Sequence, residues 1–457
     1  MPAFIALLAA GVGWSTVNVG PLATLGFLGG VVFLLLTLRN VWVPYIALLA
    51  VATLLPFLVL PVSMAGAKPT LFEIVAGGAL ASYFVIFLID RRERLIVREE
   101  VAIWLVFGAY LAFAFVLGSR FGAGSDLMRL FARFGLAFAL FWLTLQLVRS
   151  RDLALRVVEM IVVGVSGAAA IGLLLYAGGA GFTERVLVRL VPYGYPDSRI
   201  VRYIEDNPSN PMRAVGTGVD PNAFGGMLML GFVLAVGLLL MRGRRYPAAF
   251  PAAAAAIIGL AILLTFSRGA WVGGMTGAAI IVWFRARYLV PFAAVGGLAL
   301  LVAGAGATFV GRLEAGLRGE DAATLQRFDE YRNAVEIIRA HPWFGIGFGD
   351  APSADFGVGV SSIYLLIAEQ AGLVGLGLFG LFSIVVLARA WGRFQATDDD
   401  VLLVSGAAFA AALTVGLVDH YFFNIRFVHT VGLFWIVVAL VVALSREEVL
   451  SVKEVRS

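Results

Sequence analysis

The chain has 457 residues, of which 61% are hydrophobic and 14% are charged, and its mean hydropathy is +0.95. Soluble domains carry about 25% charged residues, so this composition excludes an ordinary soluble protein. The absence of cysteine excludes disulfides, thiolate metal sites and a cysteine nucleophile. The net charge is +5, but most basic residues lie at the ends of apolar segments, where a bilayer explains them. Nucleic acid is therefore not an expected partner.

Apolar runs of roughly 18 to 25 residues predict an all-α polytopic membrane protein with about 12–14 transmembrane helices. Residues 1–457 are expected to form a single integral membrane domain. The first run lacks the basic start and cleavage site of a signal peptide, which favours a span. The predicted spans are residues 3–18, 21–38, 41–62, 70–89, 101–118, 127–148, 154–178, 221–241, 247–266, 270–284, 288–309, 361–388, 401–419 and 421–445.

Arginine is concentrated in every second turn between these spans. The arginine-rich turns hold Arg39; Arg91, Arg92, Arg94 and Arg98; Arg149, Arg151 and Arg156; Arg242, Arg244 and Arg245; Arg285 and Arg287; Arg389 and Arg393; and Arg446. The other short turns hold Lys68, Arg120, Arg268 and Arg426. The positive-inside rule then predicts cytoplasmic termini, and it places two long polar segments, about 179–220 and 310–360, outside the cell membrane.

Arg268 stands between two apolar spans with almost no turn, in Ser267-Arg268-Gly269. A guanidinium near membrane depth is costly unless it meets an anion or water, which makes Arg268 a functional candidate. Arginine binds phosphate oxygens in bidentate fashion and keeps its charge. The alternative is an interfacial arginine that reaches the lipid headgroups.

A glycine-rich stretch from Arg213 to Gly225 precedes another predicted span. Asp220 is expected to cap that helix, with Pro221 in its first position, and this role is purely structural. Arg213 is less well explained by structure. Because a helix start beside an arginine suits an anion, Arg213 is a second candidate phosphate ligand.

Within residues 324–340, apolar side chains recur at helical spacing and charged side chains occupy other positions. This pattern predicts an amphipathic helix on the membrane surface. Pro342 disfavours helix at His341, so the helix should end there. His341 is then either a cap that the helix dipole favours or a general acid or base.

Two further residues are candidate bases. His420 follows Asp419 at the outer end of a predicted span, although a hydrogen-bonded core histidine is the commoner case. Glu369 lies near the outer face and is the other candidate.

Arg129 and Arg133 lie one helical turn apart at the outer start of a span. They either help to bind a phosphate or form a salt bridge and reach the headgroups. Three dispersed histidines without cysteine give no metal-binding pattern, so no metal is expected.

Over roughly residues 210–390 the chain resembles the O-antigen ligase and polymerase superfamily. The resemblance rests on Ser267-Arg268-Gly269, the stretch from Arg213 to Gly225, His341-Pro342-Trp343-Phe344-Gly345-Ile346-Gly347, Tyr364-Leu365 and Gly372-Leu373-Val374-Gly375. It implies a GT-C-type glycosyltransferase of the cytoplasmic membrane, surrounded by membrane lipid. Such an enzyme takes glycan from undecaprenyl diphosphate at the outer face and passes it to a hydroxyl of an acceptor glycan or lipid. The resemblance further implies inversion without metal or cofactor, with Arg268 and Arg213 binding the diphosphate.

One position departs from the family. Its ligases carry a His-Asn pair three residues before the Tyr-Leu, where this chain has Ser361 and Ser362. Serine has no useful basicity at neutral pH, so the proton must go elsewhere. Two alternatives remain: a secondary transporter of an anionic solute, whose polar groups should lie near the midplane of the bilayer, and a non-catalytic scaffold that binds lipid-linked glycan.

Overall fold

The computed structural model describes residues 21–59, 68–90, 95–121, 124–289, 322–348 and 360–446. The α-helices in these ranges are α1 Pro21–Arg39, α2 Trp42–Leu54, α3 Leu71–Ile89, α4 Glu99–Gly118, α5 Ser125–Leu147, α6 Arg151–Ala177, α7 Gly179–Val188, α8 Pro221–Leu240, α9 Ala249–Thr265, α10 Arg268–Arg285, α11 Ala322–Ala340, α12 Ile363–Thr397, α13 Asp400–Val415 and α14 Val428–Leu444. A short antiparallel ribbon pairs β1 Arg202–Tyr203 with β2 Met212–Arg213. The predicted span 3–18, and all but two residues of 288–309, lie outside the described residues.

The lengths and compositions of the helices confirm the predicted all-α polytopic membrane class. Six described helices are long and apolar enough to cross a bilayer: α3, α4, α5, α6, α8 and α12. Shorter apolar helices accompany them: Gly29–Arg39 within α1, together with α2, α9, α13 and α14. A helix satisfies its backbone groups internally, as the bilayer interior requires.

Helix α14 lies at the centre of the bundle, with every residue from Val428 to Leu444 buried. It is apolar on all sides, which is typical of a helix that other helices surround. It packs along α5 and α13, and the Trp435 ring lies edge-on to Phe138 with centroids 4.7 Å apart. Each end of α14 is therefore surrounded by the ends of the helices that pack around it.

Helix α8 approaches its neighbours closely through glycine. A Cβ at Gly231 would lie 2.4 Å from Val165 Cγ1 of α6, and one at Gly237 would lie 2.3 Å from Val404 Cγ2 of α13. Small residues at such crossings let membrane helices pack by van der Waals contact. Near the start of α8, a Cβ at Gly225 would lie 3.1 Å from Ser267 Cβ, so this helix also lies against the turn before α10.

The two ends of the bundle differ in charge. At the arginine-rich end, the turn between α12 and α13 supplies Asp398, Asp399 and Asp400. Arg285 of α10 pairs with Asp400, and both side chains are less than a tenth exposed. Arg151 Nε of α6 lies 3.0 Å from Asp399 Oδ1. These ion pairs tie three parts of the bundle together at this end, and the predicted motifs lie at the other.

The predicted boundaries of the spans 401–419 and 421–445 are wrong. Helix α13 ends at Val415 and α14 begins at Val428, and the connection between them is largely buried but not helical. Both Phe423 and Asn424 donate their backbone N–H groups to the His420 carbonyl oxygen, at 3.0 Å each. Hydropathy cannot distinguish such a buried aromatic loop from a helix. The predicted span 41–62 is likewise shorter, since α2 ends at Leu54.

Thr70→Ala should lower the free energy of unfolding by about 1 kcal/mol, because it removes a capping box. The Thr70 hydroxyl accepts from the Glu73 N–H at 3.2 Å, and a Glu73 carboxylate oxygen accepts from the Thr70 N–H at 2.5 Å. Unfolding in mild detergent measures the change. Thr276→Ala, at a half-buried threonine in the interior of α10, is the control and should change stability by less. Equal effects of both substitutions would contradict the capping role.

Candidate active site

The stretch from Arg213 to Gly225 forms the β2 end of the ribbon and the start of α8. As predicted, Asp220 caps α8 with Pro221 in the first position, and its carboxylate accepts from the backbone N–H of Asn222 at 2.9 Å. Arg213 is held from two sides. Its Nε donates to the Thr265 carbonyl oxygen at 2.7 Å, and its Nη2 donates to Asn222 Oδ1 at 2.6 Å. The guanidinium is thus fixed against the end of α9.

Arg268 is the first residue of α10, three residues after the carbonyl group that holds Arg213. The turn between α9 and α10 is short because Phe266 adopts a left-handed conformation, with φ of 52°. The half-buried Arg268 donates from Nη2 to Thr324 Oγ1 at 3.1 Å. The Ser267 hydroxyl is buried and makes no hydrogen bond to any described residue. Two arginines and a buried hydroxyl therefore meet at one turn.

The first half of α11 reaches across this turn. Arg327 Nη2 lies 3.6 Å from Asp419 Oδ2, and Asp419 is only 2% exposed. One turn further along, the Tyr331 hydroxyl donates to the Ser361 carbonyl oxygen at 3.0 Å. The structure confirms a helix over the predicted residues, whereas its position on the membrane surface stays a prediction. These contacts connect the helix to the start of α12 and to the loop before α14.

Asp419 and His420 form a buried pair in that loop. Asp419 Oδ1 accepts from the His420 backbone N–H at 2.9 Å and lies 3.6 Å from His420 Nδ1. Neither ring nitrogen of His420 hydrogen-bonds to a described residue, and the Tyr421 hydroxyl likewise makes no hydrogen bond to one. A Cβ at Gly269 would lie 3.8 Å from Asp419 Oδ2, so the start of α10 is packed directly on this carboxylate.

These contacts define a set of polar residues that we call the Arg268–Asp419 cluster. Its members are Arg213, Asn222, Ser267, Arg268, Thr324, Arg327, Asp419 and His420. They come from α8, α10, α11, β2 and the loop before α14. Three cations and several buried polar atoms without a described partner are suited to a bound anion beside a proton acceptor.

Burial sets the acidity of the central carboxyl. Burial raises the pKa of Asp419 above its ordinary range, and Asp220 adds to this effect, whereas His420 and Arg327 lower the pKa. Burial and the Asp419 carboxylate also raise the pKa of the Tyr421 hydroxyl. A carboxylate with a raised pKa is a stronger base once it has lost its proton.

His341 lies at the other end of α11. As predicted, the helix ends just before it, and the His341 N–H donates to the Ile337 carbonyl oxygen at 2.9 Å. His341 follows Arg327 by fourteen residues, which is about 21 Å along a helix. The structure therefore does not bring His341 into the cluster, and its catalytic role stays a prediction.

The glycines after His341 dock the chain onto a break in α12. Gly372 has φ of 69° and interrupts the helix, which leaves carbonyl oxygens of the preceding turn to accept from Ile346 and Gly347 at 2.9 Å each. A Cβ at Gly345 would lie 2.4 Å from the Glu369 carbonyl oxygen. This part of the family motif thus serves backbone packing.

Glu369 contributes its backbone to that junction. Its side chain is 9% exposed, and its carboxylate forms no hydrogen bond or ion pair with any residue in the described ranges. No such contact links it to the Arg268–Asp419 cluster. Its proposed role as a base stays a prediction.

Arg129 and Arg133 line a different cavity of about 470 Å³ together with Lys68. Arg133 Nε lies 2.9 Å from Glu73 Oε1, and Arg129 Nη1 lies 3.8 Å from a carboxylate oxygen of Asp126. The cavity is not lined by any member of the cluster. These contacts agree with the salt-bridge alternative. Phosphate binding in this cavity stays a prediction.

The two serines at the family His-Asn position have structural contacts. Ser362 caps α12, and its hydroxyl donates to the Gly416 carbonyl oxygen at 3.2 Å. The Ser361 N–H donates to Glu330 Oε2 at 3.0 Å. The position is therefore part of the junction between α11, α12 and α13.

Sequence reasoning did not select Thr324 and Arg327 as site residues. Both lie on the polar side of the predicted amphipathic helix, whose charged residues looked equivalent as a solvated face. The available signal was a charged residue in the first turns of α11, the next α-helix described after the one that begins at Arg268. Nothing in the sequence, however, pairs Arg327 with Asp419.

The fold and these contacts define a multi-pass α-helical membrane protein with a polar cluster at one end. Residues 252–380 match the O-antigen ligase family, which confirms the predicted resemblance to the O-antigen ligase and polymerase superfamily over that part of the chain. The match supports a role in glycan ligation or polymerisation in a membrane, with a lipid-linked glycan and an acceptor as substrates. It includes Arg268, Thr324 and Arg327.

No curated protein matches the chain. Among solved structures, the chain is similar to one described as "Structural coordination of polymerization and crosslinking by a peptidoglycan synthase complex". The identity is 19% and the TM-score 0.38, with 74% of this chain and 96% of that chain covered. A TM-score this low does not establish a shared fold.

Proposed function

We propose that the protein transfers glycan from a polyprenyl-diphosphate donor, of the undecaprenyl type, to an acceptor hydroxyl at the outer face of the cytoplasmic membrane. The observation that carries this proposal is the Arg268–Asp419 cluster, in which Arg213 and Arg268 lie at the turn between α9 and α10 and Arg327 pairs with Asp419 beside His420. The arginine-rich opposite end supports the orientation, because the positive-inside rule directs that end to the cytoplasm.

In the proposed reaction the acceptor oxygen attacks the anomeric carbon of the donor sugar. The new glycosidic bond forms on the face opposite to the leaving group, so the configuration inverts. The bond between the anomeric carbon and the phosphate oxygen breaks, and its electron pair leaves with the polyprenyl diphosphate. Negative charge therefore develops on the diphosphate, where Arg213 and Arg268 stabilise it.

The hydroxyl proton goes to the Asp419–His420 pair. The pair lies at the Arg327 end of the cluster, so a diphosphate held near Arg268 presents its sugar towards the loop before α14. His420 has two ring nitrogens without a described partner, and Asp419 lies within 3.6 Å to stabilise an imidazolium. A positioned base of this kind typically contributes about 10²–10⁴-fold in rate.

The placement of the cluster also argues against the transporter alternative. Its members sit at helix ends and in loops at one end of the bundle, whereas coupled transport sites lie near the midplane. Turnover distinguishes an enzyme from a scaffold. Purified protein given labelled polyprenyl-diphosphate oligosaccharide and acceptor should release one polyprenyl diphosphate for each linkage formed, with the anomeric configuration inverted. Donor binding without release would support the scaffold and contradict the proposal.

Wild-type protein should lose stability relative to Asp419→Asn as the pH rises. Because burial raises the folded-state pKa of Asp419, the unfolded chain releases this proton at a lower pH than the folded chain. The stabilisation is therefore full below the ordinary pKa of an aspartate, falls between that value and the raised one, and is constant above both. Unfolding in detergent across this pH range measures the difference, and parallel curves would contradict the assignment.

A further inference from the structure

Ser267 occupies the N-cap position of α10 but does not cap that helix. Its side chain accepts no hydrogen bond from the first turn of α10. The other described helices that begin after a serine, threonine or aspartate do have this bond, and their capping residues are Thr70, Ser150, Asp220, Ser362 and Asp399. Serine is favoured at helix starts because its oxygen accepts this bond. The local structure of α10 therefore leaves the Ser267 hydroxyl unused.

The Ser267 hydroxyl is also buried. The residue is 2% exposed, and its Oγ makes no hydrogen bond to any residue within the described ranges. A buried hydroxyl without a partner is costly, so folded proteins pair such groups with protein, water or a bound ligand. This hydroxyl is therefore suited to a partner from outside the chain.

The backbone holds Ser267 next to the two arginines of the turn. Its N–H donates to Thr265 Oγ1 at 3.2 Å, and its carbonyl oxygen accepts from the Trp271 N–H at 3.1 Å. The Thr265 carbonyl oxygen accepts from Arg213 Nε at 2.7 Å, and Arg268 is the next residue in sequence. The main chain of Ser267 is thus fixed, and its side chain lies beside both guanidinium-bearing residues.

Helix α8 packs against Ser267 on the side that holds Arg213. A Cβ at Gly225 would lie 3.1 Å from Ser267 Cβ. Gly225 follows Asn222 by three residues, so the two lie on one side of α8, and Asn222 Oδ1 accepts from Arg213. Ser267 therefore lies next to the part of α8 that orients Arg213.

We propose that the Ser267 hydroxyl binds a phosphate oxygen of the polyprenyl-diphosphate donor, beside Arg213 and Arg268. This inference rests on the proposed function, because it names a further ligand for the same diphosphate. The hydroxyl donates a hydrogen bond to the phosphate oxygen, and the arginines supply the positive charge. Ser267 binds the donor in this way and takes no part in the bond-making and bond-breaking steps.

Helix α11 is the element whose displacement gives access to this turn. Arg268 Nη2 donates to Thr324 Oγ1 of α11 at 3.1 Å, and only one side chain of residues 324–340 is buried. Helix α10 is packed more tightly, since a Cβ at Gly273 would lie 2.2 Å from Val415 Cγ2. A shift of α11 therefore breaks few contacts, whereas a shift of α10 disrupts the core.

Two matched serine-to-alanine substitutions test the proposal. Ser267→Ala removes a hydroxyl that does not cap its helix, whereas Ser150→Ala removes one that accepts from the Leu153 N–H at 3.2 Å and caps α6. The full chain in phosphatidylcholine nanodiscs is titrated with polyprenyl diphosphate that carries no sugar, and thermal unfolding is followed in mild detergent. We expect Ser267→Ala to bind this probe about tenfold more weakly, with an unchanged unfolding midpoint. Ser150→Ala should bind like wild type and unfold about 1–2 °C lower.

Arg268→Ala is titrated with the same probe, so that the two proposals can fail separately. Unchanged affinity in Ser267→Ala together with a loss in Arg268→Ala would overturn the role of Ser267 and leave the proposed function standing. Unchanged affinity in both variants would overturn both proposals. A loss in Ser267→Ala that appears only with a glycosylated donor analogue would assign the hydroxyl to the sugar and also overturn its phosphate role.

Discussion

Arg268→Ala should lower the turnover number for glycan transfer by about 10²–10³, because it removes one preorganised donor from the developing diphosphate charge. Arg268→Lys should recover only part of the rate, since an ammonium keeps the charge but not the bidentate geometry. In cells, the lipid-linked donor should accumulate. Initial rates with purified protein and labelled donor measure the effect.

Arg332→Ala provides the matched control for this substitution. Arg332 lies on the same helix as Arg327, its side chain is 72% exposed, and it pairs with Asp329 rather than with a member of the cluster. We expect a rate close to wild type. Equal losses for Arg268→Ala and Arg332→Ala would mean that general charge near the membrane matters and not the position of Arg268.

Gly345→Ala should destabilise the protein by about 3 kcal/mol or more. A Cβ there would lie 2.4 Å from the Glu369 carbonyl oxygen and 2.7 Å from the Ala371 nitrogen, and both are backbone atoms that cannot move aside. Gly345 also has φ of 66°, which costs an alanine about 1–2 kcal/mol on its own. Overpacking adds about 1–3 kcal/mol.

The control for Gly345→Ala lies further along α12. A Cβ at Gly377 meets nothing within 4 Å, so Gly377→Ala should be neutral or slightly stabilising, by about 0.5–1 kcal/mol. Unfolding in mild detergent compares the two variants. A Gly345→Ala protein as stable as wild type would contradict the docking of the His341 segment onto α12.

Local chemistry predicted the helix ends well. Asp220 and Pro221 begin α8, and Pro342 ends α11 before His341, because capping and proline sterics act within a few residues. Arg213 and Arg268 lie next to the same turn because Arg213 precedes α8, Arg268 follows α9, and these two helices are consecutive in the chain.

Contacts between distant segments were not predictable in the same way. Arg327 and Asp419 are brought together by the packing of α11 against α12, and no sequence periodicity predicts that packing. Arg129 and Arg133 belong to another cavity because the start of α5 faces α3 and residues 191–194. The loop before α14 looked like a span because aromatic residues fill a buried loop as readily as a helix.

Affinity for a donor analogue that cannot react tests the central account most directly. The probe is a polyprenyl-diphosphate sugar with a methylene group in place of the anomeric oxygen, titrated into wild type, Arg268→Ala, Arg213→Ala and Arg332→Ala in nanodiscs. We predict that Arg268→Ala and Arg213→Ala each bind the analogue at least about tenfold more weakly, the loss expected of a charge-assisted hydrogen bond, while Arg332→Ala binds like wild type. Unchanged affinity in both cluster variants would show that the diphosphate is bound elsewhere.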